Sequence, residues 1–333
     1  MTTNRLFPVV RIGGLVILLL LVLAASLFIG RYPQPYWMHP GLLGTDELAR
    51  QLVLFLRLPR VLMAMLLGMA LSGAGTVMQM IFRNPIVEPG FLGVTQGAAF
   101  GVAFGILAFG AGAGLRFALA VLFSLLGLFF SYALARRLRY GGWVLRLVLS
   151  GIAVAAFYAS GIGLMKYLAD PLSQLPEITF WLLGGLWSVT WSDLLQSLPL
   201  VIPGLVVLLA MRWRLNVLSL GEDVAASLGV SLGWERALLL LAAVASTAAV
   251  TAVAGVIGWV GLCVPHIARR AFGADARLNL PASLLIGAIF TVLCDDLART
   301  LLPGEIPLGI LTAVFGAAAF VLILSTLKVR TAR

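Results

Sequence analysis

The sequence contains few charged residues. Of its 333 residues only 11% are charged, whereas 61% are hydrophobic. Soluble globular domains carry about 25% charged and about 45–50% apolar residues. A chain with this composition lacks the polar surface that a water-soluble fold requires. The composition therefore excludes a cytosolic enzyme, a secreted disulfide scaffold and a disordered regulator, and it predicts an integral membrane protein.

Residues that bind phosphate or metal are also scarce. Neither of the two lysines, Lys166 and Lys328, follows a glycine, so the sequence contains no phosphate-binding loop of the form G-x-x-x-x-G-K-[ST]. The two histidines, His39 and His266, are far apart, and the two cysteines have no metal-ligand spacing. We therefore expect structural roles for the histidines and no metal or cofactor bound by this chain. Energy for any uphill transport must come from a partner.

Ten long runs contain no charged residue. A transmembrane helix requires about 20 mostly apolar residues. The runs are residues 12–30, 61–82, 89–115, 117–135, 147–165, 178–192, 194–211, 237–268, 278–294 and 306–327. The first is longer than the apolar part of a signal peptide, which favours a retained helix.

Two of these runs require separate interpretation. Residues 237–268 are too long for one crossing and lie between two basic clusters, which predicts two crossings with a turn near Gly255. Residues 178–192 are short and contain three tryptophans, which prefer the headgroup level, so an interfacial helix on the outer side is expected. The sequence thus predicts an all-α integral membrane protein forming a single domain over residues 1–333. The predicted fold has ten transmembrane helices, a short interfacial helix on the outer, periplasmic side and short helices in a cytoplasmic loop, which the family resemblance described below implies are coupling helices.

The net charge of +10 indicates topology. With both termini in the cytoplasm, 16 of the 23 basic residues fall on inner segments and 7 on outer ones. This asymmetry agrees with the positive-inside rule. The surplus of positive charge therefore reports membrane orientation and protein partners, and no nucleic-acid partner is expected.

Small residues recur at helical spacing in the third run. They are Gly93, Gly97, Gly101 and Gly105. Because small residues allow close approach of helix backbones in lipid, this pattern predicts tight packing inside one subunit. Glycines at a spacing of three, from Gly255 onward, precede Pro265 and predict a short or irregular helix.

Two polar regions are candidate contact sites for partners. Residues 212–236 form an inner loop with helical pattern and exposed apolar positions, typical either of a docking surface or of a loop folded back on its own helices. Glu222 and Asp223 are expected in the first turn of a helix, where negative charge is favourable. Outside, Arg57 and Arg60 lie at the mouth of the second helix. Their spacing fits lipid anchoring, snorkelling or contact with an acidic protein.

Four stretches together carry a family resemblance. They are residues 57–101, with the motif RNPIVEPG, residues 220–230, residues 255–277, with GWVGLCVPHIAR, and residues 295–320. In this order and spacing they resemble the permease subunits of ABC importers for iron–siderophores, haem and cobalamin, the FecCD-type or type II importers. This resemblance independently implies a protein of the cell inner membrane with ten transmembrane helices and with both termini in the cytoplasm.

The resemblance further implies partners and functional residues. A second copy of the chain would form a homodimer with the transport pathway at its interface. Two ATP-binding cassette subunits, which hold ATP and Mg²⁺, would dock on the cytoplasmic face, and a periplasmic binding protein would dock through acidic residues on Arg57, Arg60 and Arg299. The coupling residues implied are Leu220, Gly221, Glu222, Asp223, Ala225, Ala226, Leu228 and Gly229. The pathway residues, on the fifth run, are Ser150, Gly151, Tyr158, Ser160 and Gly161.

The substrate is the least determined feature. The segments SQLPEITFWLLGGLW and RWRLNVLSL resemble a branch that includes molybdate and tungstate permeases as well as iron-chelate ones. An oxyanion requires cationic or N–H donor groups, and the fifth run offers only hydroxyls and Lys166. We therefore expect an iron chelate or haem, with molybdate, tungstate or cobalamin as alternatives. An ATPase-independent channel or a sensor scaffold is the alternative of another class.

Overall fold

Helices form almost all of the regular structure, as the apolar runs predict. The computed structural model describes residues 6–33, 35–110, 112–220, 224, 227 and 232–325. The first part of the chain forms α1 (Leu6–Phe28), a short antiparallel pair β1 (Ile29–Gly30) and β2 (Tyr36–Trp37), α2 (Leu42–Thr45), α3 (Glu47–Gln51), a π-helical turn (Leu52–Arg57), α4 (Leu58–Ile81), a 3₁₀ turn (Pro89–Leu92) and α5 (Val94–Phe109). The remainder forms α6 (Ala113–Arg137), α7 (Trp143–Leu168), α8 (Gln174–Leu183), α9 (Trp191–Ala210), α10 (Arg212–Leu218), α11 (Leu232–Ala254), α12 (Val260–Phe272), α13 (Ala276–Thr300) and α14 (Leu308–Ser325).

Seven helical segments of the described residues are long and apolar enough to cross a membrane. Six of them are α1, α6, α7, α9, α11 and α13. The seventh is the continuous segment Glu47–Ile81, which joins α3, the π-helical turn and α4. The apolar helices α5 and α14 are shorter, and α12 has 13 residues. The multi-pass character of the chain thus follows from its helices, whereas the count of ten crossings and the orientation of the termini stay predictions.

The irregular positions follow local sequence. The run at residues 237–268 divides where expected, because α11 ends at Ala254, Gly255 adopts φ +72° and α12 begins at Val260. In the third run, helix α5 starts only at Val94, because the 3₁₀ turn and Gly93, which has a left-handed conformation, precede it. The ten-residue helix α8 begins before the tryptophan-rich run, at Gln174, and ends inside it at Leu183, so of the three tryptophans it includes Trp181.

Helix α4 is the centre of the bundle and packs against α9, α11, α12 and α13. Its approach to α13 is close: a Cβ on Gly68 would lie 2.1 Å from the carbonyl oxygen of Gly287. The Thr291 hydroxyl on α13 donates to the carbonyl of Ala64 at 2.7 Å. Small residues therefore allow two helix backbones to meet, and a hydroxyl donates across the contact.

The glycine ladder of α5 packs against α6 in the same way. A Cβ on Gly97 would lie 2.4 Å from the carbonyl oxygen of Phe123, and one on Gly101 would lie 2.4 Å from that of Leu119. The prediction of tight packing inside one subunit is confirmed at these two positions.

A junction of glycines joins three helices. The Gly185 N–H donates to the carbonyl of Ala254 at 2.8 Å, and the Gly309 N–H donates to that of Gly184 at 3.3 Å. A Cβ on Gly309 would lie 2.4 Å from the carbonyl oxygen of Leu183. The end of α8, the end of α11 and the start of α14 thus meet through backbone atoms.

Candidate functional site

The three arginines predicted to dock a partner lie together at one end of the bundle, where α4 begins and α13 finishes. We call it the arginine end. Arg57 is 8% exposed. Its guanidinium donates to the carbonyl oxygens of Leu27 at 3.0 Å and Tyr32 at 3.4 Å. Among the described residues no carboxylate forms an ion pair with it.

Arg60 lies one helical turn further along and is paired twice. Its Nε and Nη2 donate to the carboxylate of Asp295 at 2.9–3.0 Å, a bidentate geometry. Its Nη1 donates to Glu305 Oε1 at 2.9 Å. Bidentate arginine–carboxylate pairs are among the strongest polar contacts in proteins. Arg60 therefore joins the start of α4 to α13 and to the segment before α14.

Arg299 is engaged on the other side of the same cluster. It forms an ion pair with Asp296 on its own helix and donates to the carbonyl of Ser26 at 2.7 Å. The Ser26 hydroxyl donates to Asp296 Oδ1 at 2.5 Å. These contacts attach the end of α1 to the end of α13, and the sequence had not indicated them.

A cavity of about 260 Å³ opens between these side chains. Its charged lining residues are Arg31, Arg57, Arg60, Arg299 and Glu305. We call it the arginine cavity. The four arginines outnumber by one the three carboxylates of this cluster, which are Glu305 in the lining and Asp295 and Asp296 behind it. A surplus of positive charge attracts acidic groups. The structure thus brings the three predicted arginines together, and it adds Arg31 and Glu305.

The predicted pathway residues of α7 mostly face the chain's own helices. Tyr158 is 3% exposed and its hydroxyl donates to the carbonyl of Phe123 at 3.2 Å. Ser150 is fully buried, and a Cβ on Gly151 would lie 2.0 Å from the carbonyl oxygen of Phe91. A Cβ on Gly161 would contact the Phe100 ring at 2.5 Å.

Only Ser160 of the five predicted residues is exposed. The exposed side of α7 carries Ile152, Phe157, Ser160, Leu164 and Tyr167. Ser150, Gly151 and Tyr158 are buried and Gly161 is half-buried, so these four contact the chain's own helices in this structure. Their assignment to the transport pathway stays a prediction.

A second cavity, of about 350 Å³, lies beside α7 and was not predicted. Its polar side chains come from Glu88, Thr95 and Gln96, and α7 contributes Ile152 and Ala155. We call it the Glu88 cavity. Glu88 lies within the motif RNPIVEPG, and an acidic residue between the apolar Val87 and Pro89 was the signal available in the sequence.

Glu88 also contacts the segment between α11 and α12. Its carboxylate accepts a hydrogen bond from the N–H of Trp259, a residue with the unusual φ of +71°. Burial raises the pKa of the Glu88 carboxyl, and the hydrogen bond from Trp259 opposes that shift. Nearby, Gln79 donates to the carbonyl of Gly261 at 3.2 Å. These contacts fix one wall of the Glu88 cavity.

At the opposite end of the bundle lies the predicted coupling region. Leu220 is 59% exposed, as is expected of a residue on a contact surface. The other predicted coupling residues lie outside the described residues: Gly221, Glu222, Asp223, Ala225, Ala226, Leu228 and Gly229. The preceding helix α10 is held to α13, because Asn216 donates to Asp275 at 2.6 Å and accepts from the Ala276 N–H at 2.7 Å.

Both histidines have contacts within the chain. His266 Nε2 lies 2.8 Å from the carbonyl oxygen of Pro85, and His39 Nδ1 accepts from the N–H of Gly41 at 3.1 Å. Structural roles account for both. No group of three or more histidine, cysteine, aspartate or glutamate side chains that could hold a metal ion occurs among the described residues.

Comparison with known proteins gives a consistent result. The model of the FecCD transport family matches residues 17–326. The molybdate import system permease protein MolB of Haemophilus influenzae is 37% identical over 328 residues, which cover 95% of each chain. The hemin transport system permease protein HmuU of Yersinia pestis is 36% identical over 331 residues, covering 95% of this chain and 96% of that protein.

A solved structure supports the same comparison. It is described as an inward-facing conformation of an ABC transporter of metal-chelate type. The two chains superpose with a TM-score of 0.87 at 35% sequence identity, over 95% of this chain and 99% of the other.

Proposed function

The chain belongs to the FecCD transport family, and from this premise we propose that it is the permease subunit of an ATP-driven ABC importer that moves an iron chelate, a siderophore complex or haem, across the cell inner membrane. The match over residues 17–326, nearly the whole chain, is the observation that carries the proposal. As a permease the chain is a transport component, and ATP hydrolysis belongs to a separate partner subunit.

The partners follow from this assignment. Two copies of the chain form a homodimer, two ATP-binding cassette subunits with ATP and Mg²⁺ dock at the α10 end, and a periplasmic binding protein docks at the arginine end. The positively charged arginine cavity supports the last contact, since it offers cations to acidic residues. The exposed apolar side chain of Leu220 supports a contact surface for the ATP-binding cassette subunits at the other end. This arrangement places both termini in the cytoplasm.

The mechanism is alternating access driven from outside the chain. ATP closes the ATPase dimer, and the helices around residues 221–229 transmit the movement to the transmembrane segments. The binding protein delivers its ligand between the two α7 helices of the dimer. The exposed side of α7 is largely apolar, which suits a substrate that must be released rather than held.

The proposed substrate is one of several that members of this family transport. Among relatives, one name specifies molybdate and another hemin. Molybdate, tungstate and cobalamin are therefore the alternatives to an iron chelate or haem. The cavity beside α7 has a carboxylate and no arginine, lysine or histidine among its lining residues, which supports a metal chelate over an oxyanion.

A reconstituted system tests the proposal. The permease, its ATPase subunit and its binding protein are placed in proteoliposomes, and uptake of ferric siderophore, haem, cobalamin and molybdate is measured with and without ATP. We expect ATP-dependent uptake of the iron chelate or of haem. Uptake of molybdate alone would contradict the iron-chelate or haem substrate but would still support an ATP-driven importer.

The same assay distinguishes the alternative of another class. An ATPase-independent channel would transport the ligand equally without ATP, and a sensor scaffold would not transport it. Copurification of an ATP-binding cassette subunit with the tagged chain supports the importer. Equal uptake with and without ATP, or no uptake at all, contradicts it.

A further inference from the structure

The Glu88 cavity is positioned to contact a transported molecule. It lies between α4, the 3₁₀ turn, the first turn of α5, α7 and the segment before α12. Ile152 lines it from α7 and is 49% exposed, so the cavity adjoins the open side of that helix. In the importer proposed above, this side of α7 faces the transport pathway. The cavity is then a side pocket of the pathway.

Polar groups occupy one part of an otherwise apolar wall. Glu88, Thr95 and Gln96 contribute a carboxylate, a hydroxyl and an amide, while Leu71, Phe91 and Ile257 contribute apolar surface. The Trp259 N–H uses part of the capacity of the Glu88 carboxylate. An ionised carboxylate has two oxygens with about four acceptor sites, so acceptor capacity remains for a ligand.

The composition of this wall selects a chemical class. The lining residues include no lysine, arginine or histidine, so an oxyanion would meet a carboxylate with no cation to offset it. A bare divalent cation prefers about six oxygen ligands, more than one carboxylate and its neighbours offer. An apolar group that carries a positive charge or hydrogen-bond donors fits both the wall and its polar part.

We propose that the Glu88 cavity is a subsite of the transport pathway that accepts an apolar group bearing a positive charge or hydrogen-bond donors, with the Glu88 carboxylate as its selective element. The proposal rests on the importer function above and specifies its substrate class. It assigns chelates with N–H or cationic groups to this pathway, places haem below them because of its two anionic propionates, and rejects oxyanions.

Cysteine labelling measures the charge selectivity of the cavity directly. Thr95→Cys is introduced into the full-length permease in nanodiscs and reacted with trimethylammonium-ethyl or sulfonato-ethyl methanethiosulfonate. The native Cys263 and Cys294 are 2% and 3% exposed, so the parent chain provides the background. We expect the cationic reagent to react faster by roughly three- to tenfold, the effect of one nearby charge in a partly solvated site.

Second substitutions identify the source of this preference. Adding Glu88→Gln, whose amide oxygen still accepts from Trp259, abolishes the preference, whereas Glu88→Asp retains it. Ser160→Cys, on the exposed side of α7 and outside the cavity lining, reports general access, and its preference does not change with Glu88→Gln. No labelling of Thr95→Cys, or a preference unchanged by Glu88→Gln, would overturn the proposal.

A transport measurement separates this proposal from the function on which it rests. Thr95→Trp fills the cavity, and we expect at least a tenfold loss of ATP-driven uptake with assembly of the ATPase complex preserved. Normal uptake by an assembled Thr95→Trp variant would show that the cavity is not on the pathway. Absence of ATP-driven uptake in the unmodified protein would reject the importer function, while the labelling result would still determine the charge selectivity of the cavity.

Discussion

Arg57, Arg60 and Arg299 share one cavity but differ in their partners. Arg60 and Arg299 are paired with carboxylates of the same chain, whereas Arg57 donates to two backbone carbonyls. A partner's carboxylate would compete with an existing ion pair at the first two. Of these three arginines, Arg57 is therefore the one whose positive charge can pair with a carboxylate of an acidic binding protein without breaking an existing ion pair.

Substitution of Arg57 tests this difference. We expect Arg57→Gln to weaken binding of the binding protein at least about tenfold, because one charge pair at the contact is lost. Titration of the binding protein onto the permease in nanodiscs measures the effect. Arg50→Gln is the matched control, since Arg50 is 53% exposed and pairs with Glu47 of the same turn. Equal affinity of the two variants would contradict the role of Arg57.

Arg60 and Asp295 are expected to matter for stability instead. Arg60→Gln removes the bidentate partner of Asp295, which is 1% exposed, and leaves it only Arg299 at 3.9 Å. We expect a loss of about 3 kcal/mol in the free energy of unfolding. The double variant with Asp295→Asn should lose less than the sum of the single variants by about 1–3 kcal/mol.

Unfolding by denaturant in detergent measures this cycle. Arg116→Gln is the control, because its pair with Glu177 is more exposed and is worth about 1 kcal/mol or less. Additive effects of Arg60→Gln and Asp295→Asn would contradict the coupling of the pair.

The sequence pointed to Arg57, Arg60 and Arg299 as candidate docking residues, but it did not indicate which residues surround them. Arg57 and Arg60 were identified from a motif, whereas the two carboxylates that pair with Arg60, those of Asp295 and Glu305, are distant from it in the chain. A single sequence does not specify which distant helices meet. The Glu88 cavity was missed for the same reason, since its walls come from separate parts of the chain.

At the scale of helices, the glycines of α5 determine how closely it approaches α6. We expect Gly97→Ala to cost about 1–3 kcal/mol, because the new methyl group would lie 2.4 Å from a backbone carbonyl oxygen that cannot rotate away. Unfolding measurements in detergent provide the value.

Gly114→Ala is the matched control for this substitution. In the first turn of α6 a Cβ at Gly114 would meet its nearest atom at 3.9 Å. We expect this change to be neutral or stabilising by about 0.5–1 kcal/mol, because alanine favours helix over glycine. Equal stability of the two variants would show that the α5–α6 contact tolerates a methyl group.

Helix boundaries and helix faces differed in how well they could be predicted. The break at Gly255 was marked by glycine spacing and by basic residues on both sides, and it is confirmed. The packed and exposed sides of α7 could not be separated from the sequence, because this helix is apolar all round and has small residues on several sides. Periodicity identifies a face only where polar and apolar residues segregate.

For the whole molecule, the composition predicted the membrane class and the runs without charge predicted the positions of the long helices. The short helices α5, α12 and α14 resist such counting, because their length does not match a full crossing. Their position depends on packing against α4, α6 and α13 rather than on length alone.

Transmission of movement from the ATPase is a property of the whole assembly. We expect Ala225→Pro, in the predicted coupling region outside the described residues, to lower substrate uptake per ATP hydrolysed at least about tenfold, because proline disrupts a helix interior. Paired measurements of uptake and hydrolysis in proteoliposomes test this. Ala225→Ser keeps the backbone N–H and should transport normally. Coupled transport by Ala225→Pro would contradict a helix at this position.

The glycine junction between α8, α11 and α14 has a mechanical consequence. Backbone hydrogen bonds join the three segments directly, and the side chains of Ile257 and Trp187 pack beside these glycines. A movement of α8 away from the end of α11 or from the start of α14 would break one of these hydrogen bonds and leave backbone groups unpaired. We therefore expect a displacement of α8 to be shared by the two helices that it joins.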